Sequence, residues 1–228
     1  MLRWARKILA DVEGMRQEID ALNSNLKGKL VVGTIPTALP FAADVSAQLR
    51  RDHPNLSIEI QSLSSTQIDI RLNDYSLDAG LTYVADADPD TIEFLYNETY
   101  ALIAPESLAP RKRGTATWAE AAQLPLCLLT TNMRNRQFVD EVFEQIDVSP
   151  TIVMQTSGFT AALALVASGS AATIAPLRIV DTYFADQSSV RLELVEPSVS
   201  HAIGLSIKDQ TPVLPAVQAL RVAVRNSL

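Results

Sequence analysis

The chain has 228 residues, 47% of them apolar, and carries 19 basic against 26 acidic side chains for a net charge of −7. That length and apolar content support one large domain or two modest lobes around a sizeable packed core. The acidic balance excludes broad attraction to phosphate backbones, and no basic cluster is denser than Arg111-Lys112-Arg113, so this chain alone is not expected to hold DNA. No apolar run is long enough to span a bilayer, and Met1 to Lys7 lacks the apolar block of a secretion signal, which predicts a cytoplasmic location. The single cysteine, Cys127, fits a reducing compartment and reads as buried filler within Leu126 to Leu129.

From the N-terminus, apolar residues fall at Ala5, Ile8, Val12, Met15, Ile19, Leu22 and Leu26 in steps of three and four, with charged or polar residues between them. This narrow seam predicts a helix that pairs with its copy from a second chain, rather than one docked on its own core. Asn23-Ser24-Asn25 and Gly28 mark its exit. The stretch from Gly28 to Pro40 then reads as a buried strand, a polar turn at Thr34 to Thr37 and a helix start, an arrangement suited to receiving an anion at free backbone N–H groups. A helix over Leu39 to Arg51, a half-buried strand over Leu56 to Gln61, a hydroxyl-rich turn at Ser62 to Thr66, a helix through Ile68 and Leu72 and a strand over Leu77 to Val84 follow. This succession predicts a parallel sheet with covering helices.

Thr91 to Leu95 and Tyr100 to Ala104 read as two further strands, and Pro105 to Thr117 as a surface connection. Thr117-Trp118-Ala119-Glu120 fits a capping box opening a short helix. Leu126 to Leu129, a turn at Thr130 to Arg134, a helix with Phe138, Val142 and Ile146 inward, a strand at Ile152 to Gln155 and a helix ending at Gly169 repeat the earlier grammar. A short strand at Ala172 to Ala175, two strands at Leu192 to Val195 and Ala202 to Ile207, and a helix over Pro212 to Val224 complete the chain. Two similar builds predict two lobes around a shared cleft.

The heptad helix, then Gly28-x-Leu30-x-x-Gly33, Leu77-Asp78-Ala79-Gly80-Leu81, and Leu165-Val166-Ala167-Ser168-Gly169 with Ala175-Pro176, resembles a LysR-type transcriptional regulator over its linker helix and effector-binding domain. The resemblance implies an α/β, two-lobed type II periplasmic-binding-protein-like fold preceded by a long linker helix. Residues 1–28 would be the linker and dimerisation helix, 29–99 with 208–228 lobe I, and 100–207 lobe II. It implies a cleft that binds a small anionic effector, a carboxylate or phosphate, and a homodimer or homotetramer whose arrangement changes on binding to control transcription. The family's DNA-binding domain precedes the linker helix and has no counterpart in 1–228, so the chain is expected to be a piece of a longer regulator.

Effector contacts implied by the resemblance fall on Thr34, Pro36 and Thr37, on Ser64, Ser65 and Thr66, and on Thr82 and Tyr83 in lobe I. In lobe II they fall on Thr130, Thr131, Asn132, Ser157, Phe159 and Pro176. Each hydroxyl could instead be a helix cap, Phe159 could be core, and Arg134 and Arg136 could be a solvated helix face or a cation at the mouth. Ala171, where the family has a second glycine, and Glu106-Ser107, where it has histidine and proline, make effector identity less transferable. With only His53 and His201, no phosphate-loop motif and no metal-ligand spacing, neither an enzyme, a cofactor nor a metal site is expected. A solute-binding protein of a transport system is the alternative reading; it leaves the leading helix unexplained.

Overall fold

The computed structural model describes residues 2–22, 26–110, 114–183, 189–208 and 213–228, with side chains at all of these except 2, 3, 10, 20–22 and 183. It divides into two compact units, Met1–Tyr96 with Ala202–Leu228 (unit 1) and Asn97–His201 (unit 2). In chain order unit 1 holds α1 (Leu2–Leu22), β1 (Gly28–Thr34), a 3-10 turn at Pro36–Ala38, α2 (Leu39–Asp52), β2 (Leu56–Ser62), α3 (Ser65–Asn73), β3 (Ala79–Tyr83) and the start of β4 (Ile92–Pro105). Unit 2 takes the rest of β4, then β5 (Thr115–Thr117), α4 (Trp118–Ala122), β6 (Leu126–Leu129), α5 (Arg134–Gln145), β7 (Ile152–Thr156), α6 (Phe159–Ala167), β8 (Thr173–Pro176), α7 (Leu177–Tyr183) and β9 (Ser189–Val195). Strand β10 (Ser200–Ser206) leads back, and α8 (Pro215–Asn226) closes unit 1.

In unit 1 the strands run β2-β1-β3-β10-β4, with β1 parallel to both β2 and β3 and β10 antiparallel to β3. The parallel arrangement expected of β1, β2 and β3 is present, and β10, arriving antiparallel from the far end of the sequence, makes the sheet as a whole mixed. Its core is Leu30, Val32, Phe41, Val45, Leu49, Leu56, Ile68, Leu81, Val217 and Leu220. Gly33 and Gly80 stand side by side in the β1–β3 register. A Cβ on Gly33 would meet Leu77 at 2.5 Å and Ile68 at 3.2 Å, and one on Gly80 would run into Ile68 as well. The two glycines form a flat seat on which α3 lays Ile68, which fixes where α3 begins.

In unit 2, β4 is flanked by antiparallel β8 and β9, β5 adds parallel to β9, and β6 and β7 form a separate parallel pair. Trp118 is fully buried, donates from Nε1 to the Pro197 carbonyl at 3.0 Å and meets Phe143 edge-on. The predicted capping box is present: the Glu120 amide donates to Thr117 Oγ1 at 3.1 Å, and the Thr117 amide donates to Glu120 Oε2 at 2.8 Å.

Three expectations about elements change. The two strands predicted at 91–95 and 100–104 are one strand, β4. Asn97-Glu98-Thr99 looks like a polar break, yet Glu98 is buried and its Oε1 accepts from Tyr100 Oη at 3.4 Å, so the two-residue period continues through it. The connection after Pro105 contains β5, and α7 follows Pro176 where no helix was read. Arg111-Lys112-Arg113, Asn23-Ser24-Asn25 and the Leu22 side chain lie outside the described residues.

Candidate functional site

The parallel pairing of β1 with its neighbours sets Thr34 level with Ser62 on one side and Leu81 on the other. The turns that leave β1, β2 and β3 therefore start from one edge of the unit 1 sheet. Two backbone bonds tie this edge: the Ile35 amide donates to the Leu81 carbonyl at 3.0 Å, and the Leu63 amide to the Thr34 carbonyl at 2.9 Å.

Thr34 is buried and donates from Oγ1 to the Ile35 carbonyl at 3.1 Å. Pro36 occupies the first position of the 3-10 turn. Thr37 is buried with Oγ1 3.2 Å from Tyr83 Oη, so these two predicted contacts touch each other. Ser64 caps α3: the Gln67 amide donates to its Oγ at 3.3 Å, and the Ser64 amide donates to Gln67 Oε1 at 3.1 Å. Ser65 and Thr82 are the unusual pair. Both are more than nine-tenths buried, and neither Ser65 Oγ nor Thr82 Oγ1 has a hydrogen-bond partner among the described residues. Native proteins rarely leave buried hydroxyls unmatched, because each forfeits its bonds to water. Thr66, one position further on, is exposed.

Unit 2 repeats the arrangement. Leu129 pairs with Thr156 at the ends of β6 and β7, and the Thr130 amide donates to the Thr156 carbonyl at 3.0 Å. Thr131, Asn132 and Ser157 are exposed on these turns. Phe159 is core: it packs with Leu129, Leu163, Val166 and Ile179. Pro176 ends β8 buried beside Tyr100. Arg136 is buried and fully engaged with Asp140 at 2.7 Å, the Leu129 carbonyl at 2.7 Å and Gln155 at 3.0 Å, so it braces the β6 and β7 ends against α5. Arg134 bonds Gln137 and Glu141 and lies 4.1 Å over the Phe138 ring.

Sequence reasoning passed over Asn135, which is buried in the first turn of α5 with Nδ2 unpartnered among the described residues. Its position directly after the expected Thr130 to Arg134 turn was the available signal. Among the described residues no group of His, Cys, Asp and Glu could hold a metal ion, and no helix is long and apolar enough to cross a membrane. His201 is bound into an aromatic cluster, its Nδ1 2.9 Å from Tyr100 Oη and its ring stacked on Phe138.

On α1, Trp4, Ile8, Val12, Met15 and Ile19 form an exposed apolar stripe. Leu26, the last member of the predicted seam, lies beyond the helix and is buried, so it does not share the stripe.

Residues 23–228 match the model of the LysR substrate binding domain. The chain belongs to that family. It is similar to the uncharacterized HTH-type transcriptional regulator YybE of Bacillus subtilis (strain 168), 25% identical over 210 residues that cover 90% of this chain and 70% of the relative. Among solved structures it is similar to a mutant of OxyR from Corynebacterium glutamicum, with a TM-score of 0.77 and 19% identity over 98% of this chain and 71% of that one. It is also similar to the BenM effector binding domain with its effector benzoate, at TM-score 0.72 and 19% identity over 87% of this chain and 90% of that one. The fold is the type II periplasmic-binding-protein-like α/β fold of LysR effector-binding domains, and the chain is such a domain of a transcriptional regulator. YybE carries the name of a transcriptional regulator.

Proposed function

We propose that this LysR domain senses a small anionic metabolite at its strand-end turns, and that binding changes the arrangement of an oligomer paired through α1 to control DNA binding or transcription activation by the intact regulator. The observation that carries this reading is the pair of buried, unmatched hydroxyls, Ser65 Oγ and Thr82 Oγ1, at the sheet edge where α3 begins. A carboxylate or phosphate oxygen accepts from hydroxyls and from helix N-terminal amides without needing a buried cation. Thr34, Pro36, Thr37, Ser64 and Tyr83 would shape the turns of unit 1. Thr130, Thr131, Asn132 and Ser157 would shape those of unit 2, with Asn135 Nδ2 as a further donor. Phe159 and Pro176 would act from the core behind them. BenM, with its benzoate, supplies the precedent of a carboxylate effector in a similar fold.

A thermal-shift screen with benzoate, other small carboxylates and inorganic phosphate tests it. A ligand at about one hundred times its Kd stabilises by ~2.7 kcal/mol, which a melting curve resolves easily. Ser65→Ala should leave the unliganded melting temperature unchanged or slightly raised, since no bond is lost, while abolishing the ligand-induced rise. A Ser65→Ala chain that melts several degrees lower without ligand and still shifts with it would overturn the assignment.

A further inference from the structure

The helix α1 has two working faces. At 3.6 residues per turn, Arg6, Glu13, Gly14 and Gln17 lie on the side opposite the exposed stripe, and it is this side that meets unit 1. Arg6 pairs with Asp74 at the end of α3. A Cβ at Gly14 would come within 2.8 Å of Leu214, and a Cβ at Gly28 would run into Glu13 and stand 3.3 Å from Gln17 Nε2, so both glycines mark close approach.

Gln17 is the polar residue at the centre of this face, only 1% exposed. Its Oε1 accepts from the Ala216 amide at 3.2 Å. Ala216 is in the first turn of α8, whose own N-cap residue, Leu214, offers no side-chain acceptor. The first amides of a helix have no partner inside it and usually find one nearby in sequence. Here the partner comes from another helix, 199 positions away.

We infer that Gln17 is the positioning residue of α1: by capping α8 it fixes the angle at which α1 stands on unit 1, and so the direction in which paired copies of α1 would carry any preceding domain. The salt bridge from Arg6 to Asp74 is partly exposed and contributes little by itself. The Gln17 bond is buried and directional, and a tilt of α1 breaks it. Only the consequence for paired helices rests on the oligomer reading given above; the docking itself concerns one chain.

The experiment labels Asp11→Cys and Ala47→Cys in a Cys127→Ala background with spin labels, diluted into unlabelled chain so that distances are read within one molecule. Gln17→Glu keeps the shape of the side chain and an oxygen facing the Ala216 amide, whereas Gln17→Leu fills similar space without an acceptor. The parent and Gln17→Glu should give one narrow distance distribution. Gln17→Leu should give a broad one, with the Ala216 amide exchanging with solvent faster by about tenfold, equivalent to ~1.4 kcal/mol. A Gln17→Leu distribution as narrow as the parent's overturns the inference, as does broadening in both variants. Should Gln17→Leu fail to fold, exchange in the parent decides: protection of the Ala216 amide supports the cap, and exchange at the rate of an unstructured chain overturns it. Light scattering on the same samples reads the dimer mass, so loss of pairing is seen separately from loss of docking.

Discussion

At the scale of single residues, Asp78 has the most testable electrostatics. It lies half-buried at the entrance to β3, where its Oδ2 accepts from the Val31 amide at 2.7 Å. Burial raises its carboxyl above the ordinary range and the negative charge of Glu13 adds to the rise, while the Val31 amide and Lys29 oppose it. A carboxyl raised on folding stabilises the fold most below its unfolded value of about 4 and loses that contribution as pH climbs through the folded value. Asp78→Asn keeps an acceptor for Val31 without the charge. Its melting temperature should therefore match the parent's near pH 4 and exceed it increasingly toward neutral pH. Asp78→Ala, which strands the Val31 amide, should lose about 1–3 kcal/mol near pH 4 and less toward neutral pH, where removing the buried charge offsets part of the lost bond. Equal pH profiles for the parent and Asp78→Asn would remove Asp78 as the source. Cys127 belongs to the same scale: its thiol is buried and held above its ordinary pKa, in keeping with the packing role read from Leu126 to Leu129.

At the scale of elements, two contacts decide where helices sit. Where α3 lies on β3, a methyl group added at Gly80 collides with Ile68, so Gly80→Ala should cost about 1–3 kcal/mol in chemical unfolding. Placed on an Ile68→Ala background, which removes the Cγ2 methyl that the new Cβ would meet, Gly80→Ala should cost less than it does alone, and a strictly additive double mutant would mean that the two do not touch. On α1, the exposed stripe carries the predicted pairing. Ile8→Asp combined with Val12→Asp should halve the mass seen by light scattering and leave the melting of unit 1 nearly unchanged, because neither side chain is buried in this chain. A large fall in melting temperature with unchanged mass would place the stripe against its own unit instead. The capping box of α4 was legible because Thr117 and Glu120 are three residues apart, and all the information needed lies within one turn. The role of Gln17 was not legible, since its partner amide is on α8 and the residue reads as one more polar position between seam residues.

At the scale of the molecule, unit 2 is one continuous segment, while unit 1 is completed only when β10 and α8 return. Ala216, Val217, Leu220, Ala223 and Val224 of α8 are buried, and α8 packs against α1 and α2. Ending the chain after residue 214 should therefore unfold unit 1 while unit 2 keeps its cooperative transition, followed through the environment of buried Trp118 in near-ultraviolet circular dichroism. Simultaneous loss of both transitions would show that unit 2 depends on unit 1 for stability.

The sequence by itself determined the features that depend on near neighbours: the buried strands β1 and β6, the alternating strand β2, the inward faces of α2, α5 and α8, the Thr117 cap and the family to which these motifs in this order belong. These follow from side-chain period and short-range hydrogen bonding, which operate over a few residues. Only the tertiary structure decided that β10 lies antiparallel to β3, that β4 is continuous through Glu98, that Phe159 is core while the Ser65 and Thr82 hydroxyls meet no partner among the described residues, and that Leu26 leaves the α1 stripe. Each of those outcomes depends on which distant segment fills a given space or meets a given polar atom, and that pairing is fixed by burial across the whole unit rather than by any local pattern.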